Sequence, residues 1–205
     1  MEEILLNIVI TPPKKIGDKL IELSQSIDKE VETEFTLNYK NALPHLTLYQ
    51  AKYPQTNLEL IKQTLKEVAS NLAKLEVILD SFSTPLGYVY LDARKTDDLF
   101  QFHKQIVDKL NPLREGLMFT EHLSLPGITP TQRDSVYKYG HLLVMNEFWP
   151  HVTLSKPKHL ADIDKVKQVL PSKVSYTFEV DALHLAAFGP FGTCPEILET
   201  FSQLG

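Results

Sequence analysis

Residues 44–48 read Pro-His-Leu-Thr-Leu and residues 150–154 read Pro-His-Val-Thr-Leu, so one five-residue motif occurs twice, about half the chain apart. In both copies apolar and polar residues alternate, which is the pattern of a β-strand with one buried face. The histidine and the threonine of each copy are two positions apart and therefore project from the same face. We expect a fold of two related lobes, each with one polar strand face.

The sequence on either side of the motifs predicts a mixture of strands and helices. Residues 4–11 form an apolar run rich in β-branched residues, which is typical of a buried strand. Apolar residues at three- and four-residue steps predict helices over 14–31 and from Asn57 onward. Further strands are predicted at Glu76–Phe82, Tyr88–Asp92, Val174–Phe188 and Pro195–Phe201, and further helices at Asp97–Leu110, 130–139 and Ala161–Leu170.

Residues 111–150 are broken by glycines and prolines and predict a long, mostly irregular connection. Such a connection inside a compact domain is often functional. If the polar faces of the two motif strands meet across a groove between the lobes, His122 and His141 of this connection could approach that groove. His103, on the preceding helix, is expected to face solvent.

Composition narrows the class of protein. The chain has 205 residues, of which 43% are hydrophobic and 23% charged, which is typical of a folded globular protein. Together with the repeat and the lack of a linker-like segment, this predicts one bilobal domain over residues 1–205. The net charge of −5 gives no support to duplex DNA as a partner. The single cysteine, Cys194, excludes an internal disulfide or a cysteine-based zinc site. The N-terminal residues do not resemble a signal peptide and no apolar run could span a bilayer, so we expect a cytoplasmic protein without membrane contact.

The motif residues suggest acid–base chemistry on a phosphate. Two imidazoles can supply one acid and one base near neutral pH, which makes His45 and His151 the candidate catalytic residues. The hydroxyls of Thr47 and Thr153 can donate hydrogen bonds to phosphate oxygens. This chemistry requires neither a metal ion nor a cofactor.

Two further residues lie two positions beyond the threonines and would project from the same strand face as the motif residues. If strict alternation continues, Tyr49 and Ser155 extend the site as possible substrate contacts, and Tyr49 would be available to stack on a base. Partial burial at the edge of the groove is the alternative. For Phe148 and Trp149, which precede the second motif, packing between the lobes is favoured over contact with a base.

The paired motifs resemble the H-x-[ST] signatures of the 2H phosphoesterase superfamily, which includes 2′-5′ RNA ligase-like proteins and RNA cyclic phosphodiesterases. The resemblance covers most of the chain. It implies an α+β fold of two pseudo-symmetric lobes, each an antiparallel sheet flanked by helices, around a central groove. It also implies that His45 and His151 form the acid–base pair and that Thr47 and Thr153 bind the phosphate of an RNA or nucleotide substrate.

These observations predict a metal-independent phosphoesterase that hydrolyses a 2′,3′-cyclic phosphate or a 2′-5′ phosphodiester, with ligation as the possible reverse reaction. Which histidine is the acid stays open. The alternative is a non-catalytic module that binds an RNA end or a cyclic nucleotide in the same groove. We expect a monomer, because the two lobes together already supply both half-sites.

Overall fold

Nine β-strands and five α-helices follow one another along residues 2–72 and 74–202, which are the residues described by this computed structural model. The strands are β1 (Glu3–Ile10), β2 (Thr33–Thr36), β3 (Leu46–Pro54), β4 (Glu76–Ser83), β5 (Val89–Ala93), β6 (His151–Pro157), β7 (Tyr176–Glu179), β8 (Ala182–Ala187) and β9 (Ile197–Ser202). The helices are α1 (Lys14–Glu30), α2 (Leu58–Ser70), α3 (Asp97–Leu110), α4 (Pro130–Tyr139) and α5 (Ile163–Val169).

The predicted helices and most of the predicted strands are confirmed within a few residues at each end. The prediction of one long strand over 174–188 is wrong, because β7 and β8 are separate strands in different parts of the sheet. The pairing with β4 extends to Val180, whose backbone N–H donates to the Leu75 carbonyl at 2.8 Å, whereas β8 pairs with β1 and β9. The short strand β2 was not predicted.

All strand pairs are antiparallel and follow the order β7-β4-β5-β6-β3-β1-β8-β9, with β2 also pairing with β6. Two four-stranded lobes meet where β6 lies beside β3, at the pair Leu46 and Val152. Both residues of this pair belong to the repeated motif. The predicted α+β fold of two pseudo-symmetric lobes is therefore confirmed, with the two motifs at the junction.

The two lobes exchange strands between the halves of the chain. The order β1-α1-β3-α2-β4 in the first half corresponds to β5-α3-β6-α5-β8 in the second. Yet β4 pairs with β5 of the second half, and β8 pairs with β1 of the first. Since neither half completes its own sheet, the topology supports the proposal of a single bilobal unit.

The apolar residues of the motifs face a core shared by sheet and helices. Leu46, Leu48, Val152 and Leu154 are buried in one cluster that also contains residues of α1, α2, α3 and α5. This packing leaves the opposite face of β3 and β6 available to line a groove. None of the helices in the described ranges is long and apolar enough to cross a membrane.

Candidate active site

A groove of about 500 Å³ lies at the junction of the lobes and is lined by both copies of the motif. His45 and Thr47 line it from the first copy, and His151 and Thr153 line it from the second. A cavity of this size falls in the range of clefts that hold small ligands. The remaining wall comes from residues 48–50 of β3, from β5, from the turns at 85–88 and 188–192, and from the segment 122–149.

His45 and His151 are held in the same way. The Nδ1 atom of His45 lies 2.8 Å from the Leu43 carbonyl, and Nδ1 of His151 lies 2.7 Å from the Trp149 carbonyl. A carbonyl oxygen can only accept, so both Nδ1 atoms carry a proton. The neutral rings therefore leave Nε2 unprotonated, which is the form that can accept a proton from water or a hydroxyl.

Both rings are neutral near pH 7. Burial lowers the pKa of His45, and the hydrogen bond to Leu43 opposes this only in part. Burial also lowers the pKa of His151, to about 4, and the nearby His45 makes a smaller contribution to that lowering. Because charge on His45 disfavours a proton on His151, the singly protonated pair is the form that can supply one acid and one base.

A β-bulge follows the threonine in both copies of the motif. On β3, Thr47 pairs with Val9 and Tyr49 pairs with Ile8, so that Leu48 is the extra residue. The register of β6 against β5 shows the same shift: Thr153 pairs with Tyr90 and Ser155 with Val89. The extra residue there is Leu154. The two copies of the motif therefore share a β-bulge in the backbone as well as their sequence.

These bulges overturn the alternation that placed Tyr49 and Ser155 in the site. Tyr49 borders the groove but is only 1% exposed, and its hydroxyl donates to the Tyr139 carbonyl at 2.8 Å. Ser155 is fully buried and is not among the described residues that line the groove. The next partly exposed positions are Lys52 and Lys156. Lys156 lies over the rings of Tyr88 and Phe191, at 5.5 and 4.7 Å from their centroids.

Asn7 fixes the hydroxyl of Thr47. The side-chain amide of Asn7 is fully buried and donates to Thr47 Oγ1 at 3.1 Å. A hydroxyl that accepts this bond keeps its own proton for another acceptor. Asn7 was not predicted as a site residue, although a lone polar residue within the apolar run of residues 4–10 is a signal that could have found it.

An aromatic cluster covers His151. The ring of Tyr90 stacks on His151 with centroids 3.8 Å apart and an interplanar angle of 19°. Trp149 meets the edge of Tyr90 at 5.8 Å and donates its indole N–H to Asp92 at 2.9 Å. Trp149 is 37% exposed and lines the groove, contrary to the packing role that was favoured for it. Phe148 is buried, as expected.

The segment 111–150 does reach the groove. His122 and His141 line it, as expected from the sequence, together with apolar residues at Leu125, Ile128 and Leu142. The rings of the two histidines meet edge to face, with centroids 4.6 Å apart. This segment therefore forms one wall of the site, next to the paired motifs.

His103 is buried, and the prediction that it faces solvent is wrong. Its Nδ1 donates to the Leu48 carbonyl at 2.6 Å, and its Nε2 accepts from the Met145 backbone N–H at 2.8 Å. Its ring stacks on Phe148 at 3.9 Å. His103 thus connects the bulge of the first motif to the segment that leads into the second.

Two antiparallel lobes with an H-x-T motif from each on one groove define the class of 2H phosphoesterases. Residues 18–189 match the 2′-5′ RNA ligase superfamily, and the chain belongs to that superfamily. Membership supports a phosphoesterase- or ligase-like enzyme. No curated protein is similar enough in sequence to match.

Solved structures share the fold along nearly the whole chain. TT0787 of Thermus thermophilus has a TM-score of 0.59 at 17% identity, over 98% of this chain and 99% of that one. Escherichia coli LigT complexed with 3′-AMP has a TM-score of 0.60 at 15% identity, over 98% of both chains. The MHV ns2 PDE domain has a TM-score of 0.57 at 13% identity, over 90% of this chain and 99% of that one.

Proposed function

We propose that this protein is a metal-independent phosphoesterase that hydrolyses a 2′,3′-cyclic phosphate or a 2′-5′ phosphodiester of a nucleotide or RNA. The observation that carries the proposal is the pair of imidazoles, His45 and His151, which line one groove with Nδ1 bound to a carbonyl and Nε2 unprotonated. Two imidazoles on one cavity can supply the base and, once one of them is protonated, the acid for a displacement at phosphorus without a metal ion.

In the proposed reaction one histidine is neutral and the other protonated. The neutral ring accepts a proton from water at Nε2 as the water oxygen bonds to phosphorus. The bond from phosphorus to a ribose oxygen breaks, and the protonated ring donates its Nε2 proton to that oxygen. The products are a phosphomonoester and a free hydroxyl. The two histidines end with exchanged protonation states, and proton exchange with solvent restores them.

Thr47 and Thr153 are proposed to hold the non-bridging phosphate oxygens, where negative charge increases in the transition state. Asn7 supports this role for Thr47, because the hydroxyl that accepts from Asn7 can donate only to something else. The bound phosphate is also the partner expected to raise the pKa of the nearer histidine, since an anion stabilises the protonated ring.

The structural neighbours favour a nucleotide as substrate. LigT of Escherichia coli was crystallised with 3′-AMP and with ATP. The neighbour from MHV is described as a PDE domain. By analogy, the aromatic residues at the groove of this chain, Tyr88, Tyr90 and Trp149, offer surfaces on which a base could stack.

The decisive experiment is turnover in EDTA of four compounds: nucleoside 2′,3′-cyclic phosphates, 2′-5′-linked dinucleotides, RNA with a cyclic phosphate end and cyclic dinucleotides. His45→Asn and His151→Asn keep a donor near Nδ1 for the carbonyl but lack Nε2. The exposed His159→Asn is the matched control. We expect turnover of at least one compound by the protein and the control, with a loss of about 10³-fold or more in each motif variant.

A non-catalytic binding module is the second candidate. It would bind one of the same compounds without turnover, and binding would survive replacement of both histidines. That result would overturn the hydrolase proposal. The monomeric state and the cytoplasmic location stay predictions, and which histidine is the acid stays open.

A further inference from the structure

The backbone that carries His141 is anchored on several sides. Gly140 caps the C-terminus of helix α4, with a φ of +83° that other residues rarely adopt. The buried guanidinium of Arg114 packs against this glycine and donates to the Lys138 carbonyl at 3.1 Å. Ser135 donates its hydroxyl to the His141 carbonyl at 3.0 Å. The position of His141 at the groove is therefore set by buried contacts and does not depend on a ligand.

The ring of His141 has the opposite proton arrangement to the two motif histidines. The backbone N–H of Leu143 donates to His141 Nδ1 at 3.1 Å. A backbone N–H can only donate, so Nδ1 is unprotonated and the neutral ring carries its proton on Nε2. Burial, with smaller effects of His122 and His151, lowers the pKa of His141 to about 3. The ring is thus a neutral Nε2–H donor near pH 7.

This donor has no partner in the protein that the structure describes. His141 lines the same groove as His151, and its ring packs edge-on against Phe119 with centroids 5.4 Å apart. None of the hydrogen bonds among the described residues involves its Nε2 atom. A polar N–H held at a groove wall without a protein partner is available to a ligand.

We propose that His141 is a third substrate-binding histidine, which donates Nε2–H to an acceptor oxygen of the bound phosphodiester. The proposal rests on the proposed function, because it takes this groove as the place where the phosphate binds. His45 and His151 exchange protons with the substrate through Nε2, whereas His141 only binds. A neutral donor suits this role because it stays a donor over the whole pH range in which the motif histidines titrate.

Two substitutions of His141 distinguish the role of its Nδ1 atom from that of its Nε2 atom. In His141→Asn, the side-chain oxygen can still accept from Leu143, but nothing replaces the donor at Nε2. In His141→Gln, the amide nitrogen reaches the Nε2 position and can still donate. His159→Gln, at an exposed position, is the control for a change of the same type. The probes are inorganic phosphate, as a simple anion, and the best substrate from the turnover experiment.

We expect His141→Asn to weaken phosphate binding and raise KM by about tenfold, with kcat changed by less than about threefold. His141→Gln should stay within about threefold of the unsubstituted protein in both quantities. Phosphate binding within about twofold of the unsubstituted protein in His141→Asn would overturn the proposal. An equal loss of phosphate affinity in His141→Asn and His141→Gln would also overturn it, because the donor at the Nε2 position would then not be the cause of the loss.

Nitrogen-15 NMR of the unsubstituted protein keeps the test independent of whether the variants fold. The His141 proton should reside on Nε2, and its signal should shift when phosphate is added. A proton on Nδ1, or no shift at saturating phosphate, would overturn the proposal. The two proposals fail separately. If phosphate binding depends on His141 but no compound is turned over, only the hydrolase proposal is overturned. If turnover depends on the motif histidines but is unchanged in His141→Asn, only the proposal about His141 is overturned.

Discussion

The side chain of Asn7, on β1, donates to the hydroxyl of Thr47, on β3, across 3.1 Å. Asn7 is fully buried, and its Oδ1 atom is buried without a hydrogen-bond partner among the described residues. A buried amide that is only half satisfied costs stability. A residue that is unfavourable for folding but orients a site hydroxyl is better explained by the site than by the core.

Replacing Asn7 by leucine, which has nearly the same shape, should therefore separate stability from function. We expect Asn7→Leu to change the free energy of unfolding by less than about 1 kcal/mol, because it removes both the donor and the unsatisfied oxygen. KM for the substrate should rise by about 3- to 10-fold, since Thr47 loses the bond that orients its proton. Urea unfolding and steady-state kinetics measure the two effects.

A double-mutant cycle with Thr47→Val is the control for this prediction. If Asn7 acts through Thr47, Asn7→Leu should have almost no further effect on KM in the Thr47→Val protein. Additive effects would show that Asn7 influences the substrate by another route.

The stacking of Tyr90 on His151 should hold the pKa of that histidine down. Tyr90→Ala opens one face of the imidazole to water, so the desolvation that dominates the shift is reduced. We expect the pKa of His151 to rise from about 4 toward its ordinary value of 6.5 in an NMR titration. Tyr90→Phe, which keeps the ring, should leave it unchanged. Tyr137→Ala, at an exposed tyrosine, is the control, and an unchanged pKa in Tyr90→Ala would contradict the prediction.

The pH dependence of catalysis should be displaced to the acid side. The proposed reaction needs one protonated histidine, and in the free protein the pKa of both His45 and His151 is lowered by burial. The singly protonated form therefore becomes scarcer as pH rises above the folded-state values. We expect kcat/KM to peak below pH 6.5, the ordinary value, and to fall about tenfold per unit on the alkaline side. A maximum above about pH 7.5 would count against a lowered pKa in both imidazoles.

Burial of His103 should make the fold sensitive to acid. Its pKa is lowered from 6.5 to about 4, so between these values the unfolded chain binds a proton that the folded chain does not. Stability is complete above pH 6.5 and is lost as pH falls, by about 1.4 kcal/mol per pH unit for this histidine. Urea unfolding from pH 7 to pH 4.5 should show a slope that includes this contribution beside those of the other buried histidines, and His103→Gln should reduce the slope by that amount. An identical slope in the variant would contradict the assignment.

The spacing of apolar residues predicted most helices and strands, because the formation of each depends largely on the pattern within its own sequence. Helix α3 was predicted over Asp97–Leu110 and is found there, since its inward residues and its end at Asn111-Pro112 are local features. The strand predicted over 174–188 failed because the break near Val180 depends on pairing with β4 and β1, two strands far away in the sequence. Local pattern carries no information about which strand will be the neighbour.

The same limit applies to the site. The repeated motif identified His45, Thr47, His151 and Thr153, and all four line one groove. Alternation then failed one residue beyond each threonine, because the bulges at Leu48 and Leu154 are set by the register of the adjacent strands. The contributions of Tyr90 and His141 come from parts of the chain that carry no motif.

The sequence by itself determined the two strands that bear the repeated motif, since alternating residues give each strand one apolar face to bury against the core. It also determined the family, because the paired motif lies within the region that matches the 2′-5′ RNA ligase superfamily. Only the tertiary structure decided which nitrogen of each histidine carries the proton. Carbonyls at Leu43 and Trp149 place it on Nδ1 of the motif histidines, and the N–H of Leu143 places it on Nε2 of His141. These partners are near in sequence, but whether each ring turns toward them depends on how the folded chain packs around it.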